Sequence, residues 1–341
     1  MKRVMYCLLA VALLAALVVG CAPKEEAPAP AAPAKPAPIV LKMVGCFPLS
    51  HPNSFPLPIF VDRVNERAKG ELEIKLLGGP EVIPSFNQWA AVTKGVVDLN
   101  FNVPSYYWKA ELPESILIDL SVHRTAKDER ESGFFDWEQR MYNRKGVQLL
   151  AGRQAFVDFF IWPNKRVKTP QELEGLKLRS GMVYDPFFKK LGITPVVTPY
   201  AETYTALERG TVDGFAWPLT GPREGGWCEI TKFVIDHGFY GGPYTTLANT
   251  KSFQRLPKHL QDLLMDIGEE LDIELPDYAA ETYDKPERQA LRDAGVELIK
   301  FSPEDAEWYL KTADQAMYET LKELCEPQYF EEGIKLAGYT P

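Results

Sequence analysis

The chain has 341 residues, a length that favours two folded domains because single hydrophobic cores seldom grow beyond about 250–300 residues. Its formal net charge of −9 argues against a general binder of nucleic-acid phosphates, which needs a basic face. Hydrophobic residues make up 45% of the chain and charged residues 25%, the proportions of an ordinary globular protein with a sizeable core.

The beginning of the chain predicts export. Lys2 and Arg3 precede an uncharged stretch, residues 5–20, that is short for a membrane span and suits a secretory signal peptide. Its end, Leu17-Val18-Val19-Gly20-Cys21, resembles a bacterial lipobox, in which the cysteine takes a lipid before cleavage. We predict a lipoprotein signal peptide over residues 1–20 and lipidation of Cys21; a plain secretory signal with an accidental cysteine is the alternative.

A proline- and alanine-rich tether is predicted over residues 21–38. Six prolines and seven alanines occupy residues 22–38, and such a composition favours extended polyproline-like chain over a packed core. The tether and the lipid together predict a folded body held at a membrane, either in the periplasm or at the cell surface.

The first half of the body alternates predicted strands and helices. Strands are predicted over residues 39–44, 71–77 and 96–103. One helix is indicated by Phe60, Val64 and Ala68, which share a face, and another is predicted over 85–94, ended by Gly95. This order is a βαβαβ unit, the beginning of a parallel sheet.

The second half repeats this alternation and then becomes rich in helix. Strands are predicted over 176–179, 196–197, 211–216 and 296–301. Helices are predicted over 186–191, 202–209, 257–294 and 303–324, with Pro276 and Pro286 marking interruptions or kinks. The expected fold class is α/β.

Motifs for catalysis or metal binding are absent from the sequence. It contains no Gly-rich nucleotide loop, no H-E-x-x-H and no G-x-S-x-G, and its four histidines are scattered. Beyond Cys21 the cysteines are Cys46, Cys228 and Cys325, an odd number at wide spacing that predicts buried small residues and no disulfide framework. We expect no enzymatic activity.

One arginine is predicted to face a ligand. In Leu176-Lys177-Leu178-Arg179 the two leucines point to the core, so Arg179 points the other way at the carboxyl end of its strand. Ligands of open α/β sheets bind at that edge, and a guanidinium holds a carboxylate through two parallel hydrogen bonds. From spacing alone, a surface arginine in a weak salt bridge is the commoner outcome.

Longer motifs around Arg179 resemble a known family. Residues 172–179 are similar to the "DLKGLKIR" segment in the solute receptors of tripartite ATP-independent periplasmic (TRAP) transporters, the DctP-type family. Residues 194–196 and 203–214 are similar to the "ATP…EVYTALQTGVVDG" run that follows, and residues 79–107 resemble the first-lobe segment. The resemblance begins near Val40 and reaches the last helices.

The resemblance implies a periplasmic binding protein fold with two α/β lobes, linked by crossing strands and a long helix. The implied limits are residues 39–150 plus 243–282 for lobe I and 151–242 plus 283–330 for lobe II. It also implies an extracytoplasmic receptor that binds a small organic acid between the lobes. The receptor would deliver this anion to two integral membrane subunits that use an ion gradient.

The resemblance also implies the residues of the ligand site. Arg179 matches the arginine that pairs with the ligand carboxylate, Arg153 matches a second arginine or polar contact, and Gln154 matches a lining position. Trp217 matches a tryptophan of the 2-oxoacid receptors, although a core aromatic is the alternative for it. Ala216 replaces the glutamate that helps to hold sodium in those relatives, so no cofactor is expected, and a sodium ion bound with the ligand is left as the alternative.

Further aromatic residues complete the predicted site. Tyr106 and Tyr107 follow a strand and match a ligand-facing stretch, with one of the two expected in the core, and Tyr200 and Phe215 are added candidates. Trp217, Phe215 and Phe156 favour an acid larger than a two-carbon one. His51 and Asn53 either reach the crevice or cap the following helix.

Two other functions stay open from the sequence. The same closure of two lobes serves receptors of ATP-driven importers and sensory proteins. An exported hydrolase of similar fold is the other alternative, and it requires a nucleophile or metal cluster in the crevice.

Overall fold

The computed structural model describes residues 37–109, 111–122, 125–154 and 156–340, except for the side chain of Phe156. The predicted signal peptide, Cys21 and nearly all of the predicted tether lie outside the described residues. The strands are β1 (Ile39–Gly45), β2 (Leu72–Gly78), β3 (Leu99–Asn102), β4 (Val147–Ala151), β5 (Phe156–Pro163), β6 (Lys177–Ser180), β7 (Thr194–Val197), β8 (Gly214–Trp217), β9 (Phe233–Ile235), β10 (Tyr240–Pro243), β11 (Thr245–Asn249) and β12 (Glu297–Ile299).

The α-helices alternate with these strands and then dominate the end of the chain. They are α1 (Pro56–Arg67), α2 (Gln88–Thr93), α3 (Ala126–Ser132), α4 (Phe134–Arg144), α5 (Asp185–Lys190), α6 (Tyr200–Glu208), α7 (Trp227–Ile230), α8 (Thr250–Gln254), α9 (Lys258–Ala279), α10 (Lys285–Asp293), α11 (Pro303–Leu324) and α12 (Pro327–Leu336). Side-chain oxygens of Thr125, Asn249 and Ser302 accept backbone N–H groups and so begin α3, α8 and α11.

The first sheet has the spatial order β2-β1-β3-β11-β4. Strand β1 runs parallel to β2 and β3, whereas β11 is antiparallel to both of its neighbours. Helix α1 packs against β2, and Phe60 and Val64 on the predicted apolar face of α1 are fully buried. The predicted βαβαβ unit is confirmed, and we call the body around this sheet the first lobe.

The second sheet has the spatial order β10-β5-β8-β6-β7. Strand β6 is parallel to β7 and β8, and β5 is antiparallel to β8 and β10. Arg179 lies in β6 beside Val196 of β7 and Phe215 of β8, so it is central in this sheet. We call the body around this sheet the second lobe.

The chain crosses between the two sheets twice. It leaves the first sheet at the end of β4 and enters the second at β5, and it returns from β10 to β11 with only Tyr244 between these strands. The backbone N–H of Gln154 donates to the carbonyl oxygen of Tyr244 at 3.1 Å, so the two crossings are bonded to each other. The crossing strands that the resemblance implied are confirmed.

A long helix also links the lobes. Helices α9 and α10 are joined by a π-helical turn, Ala280–Asp284, so that helix continues from Lys258 to Asp293. Pro276 lies four residues before this turn and deprives the helix of one N–H donor. Helix α9 packs against α1 and β4, whereas α10 packs against β12. Since β12 pairs with β9, which packs on β5, the helix reaches the second lobe.

The last two helices contact both lobes. Helix α11 packs against α5 of the second lobe and against a 3-10 helix, Pro113–Leu120, of the first. Helix α12, of which the predicted limits assign only residues 327–330 to lobe II, packs against α4 and the same 3-10 helix of the first lobe. The predicted limits of the lobes stay a prediction. Cys46, Cys228 and Cys325 are buried and unpaired within the described residues.

Candidate functional site

A small cavity of about 20 Å³ lies between the lobes, beyond the carboxyl ends of β1, β3, β6 and β8. The first lobe lines it with Phe47, Asn53, Val103, Ser105 and Tyr106. The second lobe and the crossing strands line it with Phe159, Arg179, Gly181, Tyr184, Trp217, Pro218, Tyr240, Gly242 and Tyr244. Aromatic rings dominate this lining, and among these described residues Arg179 alone carries a charge.

Arg179 is held rigidly and has no acidic partner. Its side chain is buried, with 1% of the residue exposed. Its Nε donates to the carbonyl oxygen of Thr198 at 2.9 Å, and its Nη1 donates to the Tyr184 hydroxyl at 3.0 Å. Among the described residues no carboxylate lies within salt-bridge distance of this guanidinium. A buried charge without a counter-ion is costly, so the site favours an anion.

Three polar atoms around Arg179 lack partners. The Asn53 amide Nδ2, the Trp217 indole Nε1 and the Tyr244 hydroxyl are buried and make no hydrogen bond to any residue that the structure describes. The first two atoms are N–H donors with no capacity to accept, and a tyrosine hydroxyl also donates. Buried polar groups normally have partners. This set of donors therefore matches a ligand rich in acceptor oxygens.

The Trp217 ring contributes directly to this electrostatic environment. The centre of the Arg179 guanidinium lies 4.7 Å from the ring centroid, within the range of a cation–π interaction. The face of the ring stabilises the buried charge without neutralising it. The guanidinium thus keeps its charge for a ligand while it remains in a fixed orientation.

The lobes touch each other on the open side of the cavity. The Thr220 hydroxyl of the second lobe donates to Asn53 Oδ1 of the first lobe at 3.0 Å. The His51 ring stacks on Phe47 at 5.0 Å and meets the Tyr200 ring edge-on at 4.7 Å. Because the Thr220–Asn53 and Tyr200–His51 contacts join residues from both lobes, the structure represents a closed conformation.

His51 is a neutral member of this contact. Its Nδ1 accepts the backbone N–H of Asn53 at 3.1 Å, which makes Nε2 the protonated nitrogen of the neutral ring. Burial lowers the pKa of His51 to about 4, because the surrounding rings cannot solvate an imidazolium. Nε2 is buried and has no partner among the described residues.

Apart from Arg179, the titratable side chains in and near the cavity are neutral at physiological pH, as Tyr106, Tyr184 and Cys46 illustrate. Burial raises the pKa of Tyr106, with a further rise from Cys46, and the positive charge of Arg179 opposes the shift. Burial likewise raises the pKa of the Tyr184 hydroxyl and of the Cys46 thiol. Neutral hydroxyls and a neutral thiol supply hydrogen bonds and apolar surface, not a base or an activated nucleophile.

The structure brings together some of the predicted site residues. Arg179, Trp217 and Tyr106 all line the cavity. Tyr200 packs behind Trp217, with ring centroids 5.3 Å apart, and its hydroxyl donates to the Gly221 carbonyl oxygen at 3.0 Å. His51 and Asn53, for which two roles were open, both lie at the contact between the lobes.

Two predicted aromatic residues are core residues in the structure. Phe215 stacks on Trp162 at 5.3 Å and does not line the cavity. Tyr107 stacks on Trp89 at 4.4 Å, and its hydroxyl forms a 2.7 Å hydrogen bond with that of Tyr142. Tyr107 is thus the core member of the Tyr106–Tyr107 pair, because its ring packs against Trp89 and Tyr142 whereas Tyr106 lines the cavity.

Arg153 and Gln154 do not lie with Arg179. The Arg153 guanidinium is buried in an ion pair with Glu129, whose Oε1 accepts from Nε at 3.0 Å. Gln154 Oε1 accepts from the Thr246 hydroxyl at 2.5 Å, beside the crossing of the strands. An acidic partner on α3 and a hydroxyl partner on β11 thus engage these two side chains, and neither residue lines the 20 Å³ cavity. Their predicted role at the ligand stays a prediction.

Several lining residues were not anticipated from the sequence. Tyr184 begins the helix that follows β6, and its hydroxyl donates to the Ala216 carbonyl oxygen at 3.1 Å while it accepts from Arg179. Tyr244 and Phe47 enter the cavity from the second crossing and from the loop after β1. The position of Tyr184, five residues after the arginine that ends a predicted strand, could have indicated that it lies near the ligand. The position of Tyr244 could not have been predicted without knowing how the strands connect the two sheets.

Neither a metal site nor a membrane span is present in the described part of the chain. Within residues 37–340, as described, no group of three or more His, Cys, Asp or Glu side chains is placed to hold a metal ion. The Ala216 carbonyl oxygen already accepts from Tyr184 and Arg179. No helix in these residues has both the length and the apolar content to cross a membrane.

Sequence comparisons identify relatives over most of the chain. Residues 49–325 match the profile of the bacterial extracellular solute-binding proteins, family 7. The monocarboxylate 2-oxoacid-binding periplasmic protein of Nostoc sp. is 25% identical over 71% of this chain and 68% of that protein. The 2,3-diketo-L-gulonate-binding periplasmic protein of Escherichia coli is 27% identical over 70% of this chain and 74% of that protein.

Structural comparison gives the same fold. A TRAP periplasmic solute binding protein from Pseudoalteromonas atlantica, with bound sodium and pyruvate, superposes with a TM-score of 0.76. The match covers 88% of this chain and 93% of the other at 19% identity. The two-lobed fold that the resemblance implied is confirmed. With its profile match over residues 49–325, the chain belongs to the bacterial extracellular solute-binding proteins, family 7.

Proposed function

We propose that this protein is an extracytoplasmic receptor that binds a pyruvate-sized monocarboxylate between its lobes and delivers it to a TRAP-type membrane transporter. The observation that carries this proposal is the environment of Arg179, a buried guanidinium with no carboxylate partner among the described residues. The unpartnered donors of Asn53, Trp217 and Tyr244 surround the same cavity. A carboxylate satisfies both requirements with one group.

The size of the cavity supports a small acid. A volume of about 20 Å³ is close to what one water molecule needs, which is at least about 10–15 Å³ on this measure. A ligand must therefore move the lining side chains apart, and a larger acid must move them further. The flat walls formed by Phe47, Trp217 and Tyr244 favour a planar ligand, as a 2-oxo acid is. The Nostoc relative is named for monocarboxylate 2-oxoacids.

Closure follows from the same chemistry. In an open conformation Arg179 is hydrated, whereas closing the lobes without a ligand buries its charge with no counter-ion. An anion in the cavity removes this cost, so it binds the closed conformation more tightly and shifts the population towards it. The closed conformation is then the form that docks on the membrane subunits.

The first test replaces Arg179. Arg179→Ala removes the only charge among the described residues that line the cavity. We expect pyruvate affinity to fall at least about a hundredfold, in line with the loss of a buried charge-assisted pair. Isothermal titration calorimetry of purified protein measures this. Arg209→Ala, at an exposed position at the end of α6, is the matched control and should leave affinity unchanged.

A circular dichroism melt separates loss of the site from loss of the fold. Arg179→Lys, which keeps the charge but not the planar fork, should recover part of the affinity. Unchanged pyruvate binding by a folded Arg179→Ala protein would refute the assignment. If the wild-type protein binds no monocarboxylate but binds a longer acid, the size class is wrong and the anion site stands.

We propose that the ligand binds without a metal ion. The Pseudoalteromonas relative holds sodium with pyruvate, but here Ala216 supplies no carboxylate and its carbonyl oxygen accepts two hydrogen bonds. Titrations in sodium chloride and in potassium chloride at equal ionic strength should give the same affinity. A strong preference for sodium would show that other groups coordinate it.

We further propose that the protein is an exported lipoprotein that catalyses nothing. The support for export is the signal-like start of the chain, together with membership of an extracellular family.

The raised pKa values of Cys46, Tyr106 and Tyr184 argue against an exported hydrolase, because each keeps a weak nucleophile or base neutral. Ligand recovered after incubation should be chemically unchanged by NMR spectroscopy.

The receptors of ATP-driven importers and sensory receptors close around their ligands in the same way. The proteins with which the receptor works therefore distinguish these alternatives from the proposed TRAP-type receptor. Genes for two integral membrane subunits beside this one, with no ATPase gene, are expected for the proposed transporter. An adjacent ATPase gene would favour the importer instead.

A further inference from the structure

The first lobe offers an unpartnered hydrogen-bond donor to the cavity beside Arg179. Among the described first-lobe residues that line this cavity, Asn53 is the one whose side chain has a buried polar atom without a partner. That atom is the amide Nδ2, which donates hydrogen bonds and cannot accept them. Arg179 and Trp217 belong to the second lobe, so Asn53 is the residue through which the first lobe can donate to a solute.

Thr220 determines which end of this amide is left for the solute. Thr220 lies in the loop after β8 of the second lobe, and its hydroxyl donates to Asn53 Oδ1 at 3.0 Å. Both residues are buried. With the oxygen held by Thr220, the nitrogen is the end of the amide without a partner. The reverse orientation would present the amide oxygen to the cavity, where it would repel the carboxylate of an anionic solute.

Hydrogen bonds hold the backbone on both sides of this contact. The N–H of Asn53 donates to His51 Nδ1 at 3.1 Å, within a short 3-10 helix after β1. In the other lobe the carbonyl oxygen of Gly221, the residue after Thr220, accepts from the Tyr200 hydroxyl at 3.0 Å. The two side chains therefore meet from loops that are themselves held, so the hydrogen bond between them orients the amide.

Arg179 leaves one nitrogen for the solute on the opposite wall. Its Nε and Nη1 donate to two backbone carbonyl oxygens and to the Tyr184 hydroxyl, and no acceptor among the described residues takes the hydrogens of Nη2. A carboxylate on Nη2 leaves the Asn53 amide for a further acceptor of the same solute. A 2-oxo acid has such an acceptor, because its keto oxygen lies next to the carboxylate.

We propose that Thr220 is a positioning residue that aims the Asn53 amide nitrogen at the 2-oxo oxygen of the solute, and that this contact selects 2-oxo over 2-hydroxy acids. The inference rests on the monocarboxylate binding proposed for the Arg179 cavity. A keto oxygen only accepts, whereas a hydroxyl also carries a hydrogen that needs an acceptor. Since Thr220 and Asn53 belong to different lobes, the amide is oriented only when the lobes close.

The test compares pyruvate with L-lactate, which has the same number of carbons and the same charge. In isothermal titration calorimetry the wild-type protein should bind pyruvate at least about tenfold more tightly, because the buried lactate hydroxyl leaves its hydrogen poorly satisfied. Thr220→Val removes the hydroxyl and keeps the branched shape, and it should reduce the ratio of the two affinities to about two or less. Thr220→Ser, which keeps the hydroxyl, should restore the ratio.

The ratio of affinities is a readout that a purely structural role of Thr220 would not change. Loss of a contact between the lobes weakens closure around either acid by the same factor, and this factor cancels in the ratio. Stopped-flow fluorescence gives a second readout. Because the amide is oriented only on closure, pyruvate and lactate should associate with the wild-type protein at similar rates and differ in their dissociation rates.

Two further variants show whether Thr220 acts through Asn53. Asn53→Ala should lower the ratio as Thr220→Val does, and it tests the proposal even if Thr220→Val fails to fold. Adding Thr220→Val to Asn53→Ala should not change the ratio further, since the hydroxyl then has no amide to orient. Thr205→Val, the same substitution at an exposed position of α6, is the matched control and should keep the wild-type ratio.

The outcomes separate this inference from the proposed function. A wild-type ratio in folded Thr220→Val or Asn53→Ala protein overturns the inference and leaves monocarboxylate binding standing. Tighter binding of lactate than of pyruvate by the wild-type protein also overturns it, because the amide oxygen would then face the solute. If the wild-type protein binds neither acid, the proposed function fails and this inference fails with it.

Discussion

His51 couples the closed conformation to pH. It is neutral where the lobes meet, between Phe47, Tyr200 and Trp217, and burial lowers its pKa to about 4. Opening the lobes exposes the ring to water and returns the pKa towards its ordinary value of about 6.5. Between these two values the open conformation binds more protons than the closed one. Falling pH therefore favours opening.

We predict that pyruvate affinity falls by on the order of tenfold between pH 7 and pH 5, because one proton must leave His51 on closure. Pyruvate itself stays ionised over this range. Tyr200, the ring that meets His51, has a pKa of about 12 and does not titrate there. His51→Gln, whose amide oxygen can still accept the Asn53 N–H, should bind with little pH dependence. An equal slope in this variant would assign the effect to another group.

Arg179 and Arg153 show which properties of a single residue can be predicted from the sequence and which cannot. The Leu-Lys-Leu-Arg alternation placed Arg179 at the end of a strand and away from the core leucines, and the structure agrees. Arg153 has an equally suggestive context, but its environment depends on Glu129, 24 residues earlier in the chain and on another element. No local pattern encodes which of two arginines receives a carboxylate from the protein itself.

The loop after β8 decides whether the lobes can close. Gly221 has a φ of +105°, and a Cβ at this position would lie 2.9 Å from Trp217 Nε1 and 3.2 Å from His51 Nε2. The loop therefore passes close to both lobes only because residue 221 has no side chain. A larger residue must push His51 away or separate the lobes.

We predict that Gly221→Ala weakens pyruvate binding by about tenfold or more and leaves the protein more open, since overpacking of this kind costs about 1–3 kcal/mol. Small-angle X-ray scattering with saturating pyruvate measures the closure. Gly210→Ala is the matched control: its φ is +65°, so backbone strain is present, but nothing lies within 4 Å of its Cβ. Equal loss of affinity in both variants would mean that strain alone is responsible.

The long helix lies against the strand that leads into the first crossing. A Cβ on Gly268 of α9 would collide with the carbonyl oxygen of Leu150 in β4. Salt bridges from Arg63 and Arg67 of α1 to Glu270 hold the helix in this position. Close contact between helix and strand backbones thus requires glycine.

Gly268→Ala should destabilise the protein by about 1–3 kcal/mol, although an alanine in a helix interior normally stabilises by about 0.5–1 kcal/mol. The sign of the change is the decisive result. Urea denaturation followed by circular dichroism measures it, and a more stable variant would show that α9 can move away from β4 freely.

At the scale of the whole molecule, the predicted anchor determines where the receptor works. Cys21→Ser should abolish incorporation of radiolabelled palmitate and release the protein from the membrane fraction, because no other lipidation signal is predicted. Ligand binding should be unaffected, since the folded body begins after the tether. Retention of the label in this variant would place the lipid elsewhere.

The local hydrophobic pattern of the sequence predicted the alternation of strands and helices. It did not predict the strands that cross between the two sheets and so divide the fold into two lobes. The predicted strands and helices from 39 to 103 and from 176 to 216 appear in the structure with ends shifted by a few residues. Strands β4, β5, β10 and β11 carry no clear alternation because they are buried on several sides, and β10 and β11 are separated by one residue. The resemblance supplied these crossings, since they depend on contacts distant in sequence.

Tyr244 has a consequence for how receptors of this design can vary. It is the one residue between β10 of one sheet and β11 of the other, and it also lines the cavity. One amino acid thus both connects the two sheets and lines the cavity in which we propose that the solute binds. We expect a substitution of Tyr244 that alters ligand selectivity to change the angle between the lobes as well. Changes in specificity should therefore arise more readily from Asn53 or Tyr106, which line the cavity from the first lobe.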